Sequence, residues 1–384
     1  MTFSAERLAE HVRIISTQIA PRMPTTFVEQ SLAYYIEHYL GQHPPQRQRF
    51  RAIERHSKRL MPQYVLSAAT IGASGNAKGW LRWVAAGIHL GLLWHHRRIT
   101  TGHPPLWEPA LSDAESLNTL VKVPAQQEQA TQKIVIVAHL DTNFTRQSQS
   151  ALLRDTIPLF FGSLGAATLG GLLLTVFAGD REWSGRARTL LASYMMTSSL
   201  LIALDEFGQV SYGANDNASG VAVALEVATR LQQSPLPDTD VWFLFTGAEE
   251  VGGAGLEAFL KHHQDEVNDA RFIVVNSVGA GDVCWGAEHV ISTALSYYPA
   301  PSAHQWATRT AQQHPHMGIM GRRLTGLDEV AILNRYGLRG VRIAAVDRYS
   351  GAIPYRHTTQ DIPANIDPQT LQQAADFVWA LLTN

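Results

Sequence analysis

Strands and helices alternate from about residue 115 onward, and this alternation predicts an α/β protein. The expected architecture is a three-layer α/β/α sandwich with a mixed, mostly parallel central sheet. Two further observations shape it. Residues 1–105 read as a helical N-terminal part, and residues 150–207 hold two long uncharged runs that read as an inserted apolar helical hairpin. A chain of 384 residues can bury one large core, so 1–384 is read as a single domain carrying that insertion.

The elements follow in order. In "MTFSAERLAEHVRIISTQIA", Leu8, Val12, Ile15 and Ile19 recur on one helical face. A second helix is expected from Thr26 to Leu40, stopped by Gly41. Residues 79–98, "GWLRWVAAGIHLGLLWHHRR", contain about 14 uncharged residues, short for a membrane span, and read as a buried or interfacial helix. "SLNTLVKV" (116–123) and "KIVIVAHL" (133–140) read as neighbouring strands. "VAVALEVATRLQQ" (221–233) is helical, "DVWFLFT" (240–246) a buried strand, and "LEAFLKHH" (256–263) helical. "RFIVVNSV" (271–278) and "LRGVRIAAV" (338–346) are strands, and "DPQTLQQAADFVWALLTN" (367–384) is a closing helix with Pro near its start.

Residues 156–179 run for 24 residues without a charge, and 189–204 for 16. The first is long enough to cross a bilayer and the second is marginal. Gly162, Ala166 and Gly170 lie four apart, as do Ser163, Ala167 and Gly171, a spacing that lets helices approach closely in lipid. The segment 156–204 is therefore a candidate membrane anchor, with a hairpin buried against the domain as the alternative. Its ends lie close in sequence to two of the motifs described next, so both ends belong on the catalytic side of any membrane.

Composition narrows the function. Lys and Arg number 31 against 33 Asp and Glu, with no basic stripe, which argues against a nucleic-acid partner. The one cysteine, Cys284, excludes an internal disulfide and fits a reducing compartment. Charges break up the first 20 residues, so they lack the apolar core of an export signal. Arg181, Arg186 and Arg188 draw the hairpin loop toward the cytoplasm, whereas the lack of an export signal places the catalytic part there. The second argument is weighted more, giving a membrane-associated protein with a cytoplasmic catalytic part. Oligomeric state is not legible.

Four motifs carry candidate chemistry, each at a strand end or in a loop. "VIVAHLDTN" (135–143) delivers His139, with Asp141 two residues on. "GANDNASG" (213–220) places Asp216 among small residues. "LFTGAEEVGGAG" (244–255) sets the pair Glu249–Glu250 after a strand, and "PYRHTTQDIP" (354–363) holds His357 and Asp361. Taken singly, each has a plain structural reading: a turn, a helix cap, a solvated pair. In open α/β sheets, however, strand ends are where sites form.

Taken together, and in this order, the motifs resemble the co-catalytic zinc aminopeptidases: aminopeptidase Y, the bacterial leucyl-type enzymes, and the catalytic domains of glutamate carboxypeptidase II and glutaminyl cyclase. "GANDNASGVAVALEVA" and "HTTQDIPANIDP" carry the resemblance most specifically, over about 115–384. It implies that His139 binds one zinc, that Asp216 bridges two, and that Glu250 and His357 bind the second. It implies Glu249 as general base toward a zinc-activated water, Asp141 as the catalytic-site partner that holds the second nitrogen of His139 or orients a neighbouring ligand, and Asp361 and Asp328 as supporting residues. The family's further aspartate is replaced here by Asn276, a neutral and weaker ligand. One tight zinc is therefore expected, with the second weak or absent. The implied function is an aminopeptidase acting on peptide or aminoacyl substrates. A single-zinc cyclase-like enzyme and a non-catalytic membrane-associated relative are the alternatives.

Overall fold

The computed structural model describes residues 2–41, 45–179 and 181–384. Among the described residues nine strands form one sheet: β1 (Gln46–Ala52), β2 (Ala114–Val123), β3 (Gln132–His139), β4 (Thr239–Thr246), β5 (Arg271–Val275), β6 (Asp282–Ser292), β7 (Leu295–Tyr297), β8 (Met320–Thr325) and β9 (Arg339–Val346). Their order is β1-β2-β4-β3-β5-β9-β6-β7, with β8 paired to β6. The run β4-β3-β5-β9 is parallel, and antiparallel pairs flank it on both sides. The sheet is thus mixed, with its parallel part at the centre.

Alternation along β3 explains the layers. Ile134, Ile136 and Ala138 face one core, which also holds Leu8, Val12 and Ile15 of the first helix, Leu225 and Leu231 of helix Ser219–Gln233, and Phe377 of helix Pro368–Leu382. Val135 and Val137 face the other, with Phe259 of helix Ala254–Val267 and Leu333 of helix Glu329–Arg335. The amphipathic N-terminal helix is Ala5–Gln18, capped by Ser4, and the second is Phe27–Tyr39, capped by Thr26.

The N-terminal part is not wholly helical, because β1 lies within it. Its sequence, QRQRFRA, shows no apolar stripe, since it is an edge strand whose arginines meet solvent. Strands β6–β8 were also absent from the sequence expectation. β6 carries Gly286, Glu288 and His289 among its apolar residues and bulges against both β7 and β8, which breaks simple alternation.

The insertion forms two helices, Arg154–Ala178 and Glu182–Leu204, of a length and composition able to span a membrane. Helices His56–Ala73 and Trp80–Thr100 pack beside them around a separate core that includes Leu60, Tyr64, Ile71, Leu164, Ala167 and Met195.

Leu225 is fully buried beneath the central sheet. Leu225→Ala is expected to lower the unfolding free energy by about 2–5 kcal/mol, read from the denaturant midpoint at unchanged slope.

Candidate metal centre

His139, the glutamate pair and Asn276 stand at or just beyond the ends of parallel strands, and Asp216 and His357 lie in loops that meet them. β3 ends in His139, and its main chain is continued by Leu140 N–H, which donates to Thr246 O at 2.8 Å. β4 ends two residues before Ala248, which holds a left-handed φ of 51° just ahead of the glutamate pair. Buried Glu29 secures that turn by accepting from Ala248 N–H at 2.7 Å.

Asp141 positions the pair. Its two oxygens accept from the main-chain N–H groups of Glu249 and Glu250, at 3.0 and 2.9 Å. Its main-chain oxygen lies 3.1 Å from His139 Nδ1, and its carboxylate 3.5 Å away. His139 thereby presents Nε2 to the site, in the manner of an imidazole held for a metal.

The loop carrying Asp216 is tied down twice. Asp361 accepts from Asn215 N–H at 2.5 Å and Asp216 N–H at 3.2 Å. Asn217 Oδ1 accepts from Gly220 N–H at 3.0 Å and Ser277 N–H at 3.1 Å, linking the loop to the end of β5. Gly213, at φ 61°, must be small as well as left-handed: a Cβ there would collide with Thr142.

The candidate ligands converge. One donor atom each from His139, Asp216 and Glu250 lie within 4.8 Å of one another, all buried. His139 Nε2 is 3.1 Å from Asp216 Oδ1. His357 Nε2 is 2.9 Å from Glu250 Oε1 and 3.3 Å from Asp216 Oδ2. Two imidazoles and two carboxylates in one buried cluster form a donor set that suits zinc. Glu249 lies alongside, with Oε2 3.9 Å from His139 Nε2.

Electrostatics set the members apart. Burial works against charge on Glu250, but His357 outweighs it and holds the carboxyl at about 2. Burial, followed by the charge of Glu329, pushes Glu249 well above the usual carboxylate range. Asp361 is pushed up to about 7, chiefly by burial. The protein thus separates an ionised ligand from a neighbouring proton acceptor.

The last two candidates form a buried network beside the cluster. Asn276 Oδ1 accepts from Arg342 Nη2 at 2.9 Å and from Ser277 Oγ at 2.7 Å. Arg342 also donates to Asp328 Oδ2 at 3.1 Å, and Asp328 accepts from Tyr297 OH at 2.8 Å. The Asn276 oxygen is therefore engaged by an arginine.

Five residues of the site escaped the sequence reading. Asn143 donates to Glu250 Oε2 at 2.7 Å, and Arg356 to Asp216 Oδ2 at 3.2 Å. Arg22 is fully buried and donates to the carbonyls of Leu140 and Gly213, at 2.8 and 3.0 Å, clamping two site loops together. Arg342 is the fourth. The fifth is Glu329, fully buried with both oxygens lacking a hydrogen-bond partner, its carboxyl pushed up to about 7 by burial. Asn143 and Arg356 lie inside the quoted motifs and Glu329 follows Asp328; nothing local marks Arg22.

A cavity of about 490 Å³ opens beside the cluster, bounded by Glu249, Glu250, His357, Asn143, Asp328 and Arg356 among others. It is large enough for the end of a peptide.

Comparison with known proteins agrees with this geometry. Residues 199–382 match peptidase family M28, a span that includes Asp216, the glutamate pair and His357. Aminopeptidase YwaD of Bacillus subtilis (strain 168) is 27% identical over 172 residues, 44% of this chain and 37% of that protein. Endoplasmic reticulum metallopeptidase 1 of Mus musculus is 29% identical over 48% of this chain and 20% of its own length. The chain thus spans well under half the length of these curated relatives. Among solved structures, a glutaminyl cyclase of Bacteroides thetaiotaomicron superposes with a TM-score of 0.61 at 15% identity, covering 100% of this chain and 99% of that one. A zinc aminopeptidase of Bacillus subtilis does so at 0.58 and 15%, covering 99% and 94%. The α/β/α exopeptidase fold and the resemblance carried by the motifs are both borne out.

Removing the Asp141 carboxylate leaves two buried N–H groups unpaired. Asp141→Ala is expected to cost about 1–3 kcal/mol for each, read as a lowered unfolding midpoint, and to weaken zinc binding in titration calorimetry.

Proposed function

We propose that this chain is a zinc-dependent exopeptidase, an aminopeptidase that hydrolyses N-terminal peptide bonds. The observation that carries the reading is the buried convergence of His139, Asp216, Glu250 and His357 with Glu249 beside them. Those four residues would hold the zinc. When bound, zinc supplies Lewis acidity, lowering the pKa of water to about 7 and polarising a carbonyl. Glu249 accepts the proton of the attacking water and returns it to the leaving amine. Its raised pKa in the metal-free site favours holding a proton, and a cation nearby draws it back toward the working range. Asp141 and Asn143 fix the glutamate pair, so that Glu250 ligates while Glu249 stays free for proton transfer.

A single tight zinc fits best. Arg342 already takes the Asn276 oxygen, and its buried positive charge opposes a second cation there. The same feature favours a second reading, an amide-transforming enzyme of the single-zinc cyclase kind. Retention of the ligands and of Glu249 argues against a non-catalytic relative. The two apolar helices of the insertion, together with relatives named as a vacuolar membrane protease and an endoplasmic reticulum metallopeptidase, support membrane association through 156–204.

Purified protein is expected to hydrolyse aminoacyl anilides and to lose that activity to a chelator. Glutamine cyclisation without hydrolysis would instead select the cyclase reading. Glu249→Gln should lower kcat about 10²–10⁴-fold while zinc content and KM stay close to those of the parent. After dialysis, metal analysis should find one zinc per chain, and two tightly retained ions would refute the single-site assignment.

A further inference from the structure

The helices of the insertion do not stand alone. His56–Ala73 and Trp80–Thr100 join them in a four-helix bundle whose polar side chains turn inward. Gln63 donates to Leu92 O at 2.9 Å and meets His95 Nδ1 at 2.7 Å. Arg82 donates to Thr175 O at 2.6 Å, and Arg188 to Leu174 O at 2.9 Å. Gly171 faces Ile71 and His89, where a Cβ would collide, so it serves contact with the two earlier helices, while Gly170 lies against Leu191 of the second inserted helix.

The outer surface is the reverse. On Trp80–Thr100, Leu81, Val84, Ile88 and Leu90 are exposed. The inserted helices likewise expose Leu169, Leu173, Leu190 and Leu200, and only 28% and 22% of their most apolar stretches are buried. A core helix of a water-soluble domain would hide these side chains.

The ends of the bundle are marked differently from its middle. At the tip away from the sheet, Trp80, Trp83 and Trp183 are exposed beside Lys78, Arg181 and Arg186. At the near end, exposed Trp94 is followed by Arg97 and Arg98. Aromatic and basic residues flanking an apolar belt complement the headgroups and phosphates on the two sides of a bilayer. From Trp80 to Arg97 the helix rises about 25 Å, close to the hydrocarbon thickness of about 30 Å.

We propose that these four helices together form the membrane domain, and that a lipid bilayer is the partner of their common outer surface. Two of the four are not apolar enough to be recognised as spans by themselves; their inward polar groups are shielded by the hairpin. All four join the catalytic part at one end, and Leu60, Tyr64, Ile99 and Phe161 from that end form part of the wall of the site cavity. The cavity therefore opens at the bilayer surface, where Leu152, next to the lining residue Ala151, is 84% exposed.

Site-directed spin labelling tests this without reference to activity. Nitroxides are placed through Ile88→Cys, Leu90→Cys, Leu200→Cys and Leu152→Cys, the native Cys284 being buried. The protein is reconstituted into phosphatidylcholine–phosphatidylglycerol vesicles, and collision with oxygen is compared with collision with a water-soluble nickel chelate. Labels at 88 and 90 are expected to favour oxygen as strongly as the label at 200, with 152 at headgroup depth. Nickel access at 88 and 90 equal to that of an aqueous site would overturn the four-helix domain. A fully aqueous label at 152 would overturn the placement of the cavity.

Discussion

The structure is organised around a concentration of buried negative charge. Asp141, Asp216, Glu250, Glu329 and Asp361 are all buried, and Glu249 lies against them. Two like charges 4 Å apart repel by about 4 kcal/mol at the effective dielectric of a protein, so such a group demands compensation. Main-chain N–H groups serve Asp141 and Asp361, and imidazoles and Arg356 serve Asp216 and Glu250. The two carboxylate oxygens of Glu329 have no hydrogen-bond partner among the described residues. What the protein's own donors leave uncompensated is the attraction for a cation, and the ligand cluster lies where that attraction is focused.

The sheet decides where the charges meet. In its parallel centre, β3, β4, β5 and β9 point their C-terminal ends the same way, delivering His139, the glutamate pair and Asn276 to one edge. β9 brings Arg342 into contact with Asn276 across a neighbouring strand. An amide rather than a carboxylate at 276 removes one negative charge, and the guanidinium adds a fixed positive one. On the single-zinc reading proposed above, the two differences act together: they favour metal on the side of the site holding Asp216, Glu250 and His357 over the other.

Much of this was legible because it is local. The 3.6-residue period gave the first helices, short apolar runs gave the central strands, and motif order located seven of the acidic and histidine residues now seen together. The signal failed where identity depends on distant partners. β1 is polar because it is an edge strand, and β6 is irregular because it serves three neighbours. Arg22 and Arg342 look like surface arginines in sequence; only the fold shows that each is wrapped in acceptors. The helices Trp80–Thr100 and His56–Ala73 carry Gln63, His89 and His95, which dilute their hydropathy although all three point inward.

The long insertion coexists with a site that needs geometry held to fractions of an ångström because it is closed at its base. It separates Asp141 from Asp216, residues whose loops must touch. The chain leaving β3 and the chain returning to Asp216 are zipped together: Thr145 N–H donates to Gln209 O at 2.6 Å, Ser211 N–H donates to Asn143 O at 2.9 Å, and Phe144 bridges Val210. Gly208 allows that approach, since a Cβ would strike the Thr145 carbonyl. With the ends fixed, adding residues beyond the zipper costs little further closure entropy. The same base places Asn143 on Glu250, so the strand pair that ties off the insertion also orients a candidate metal ligand.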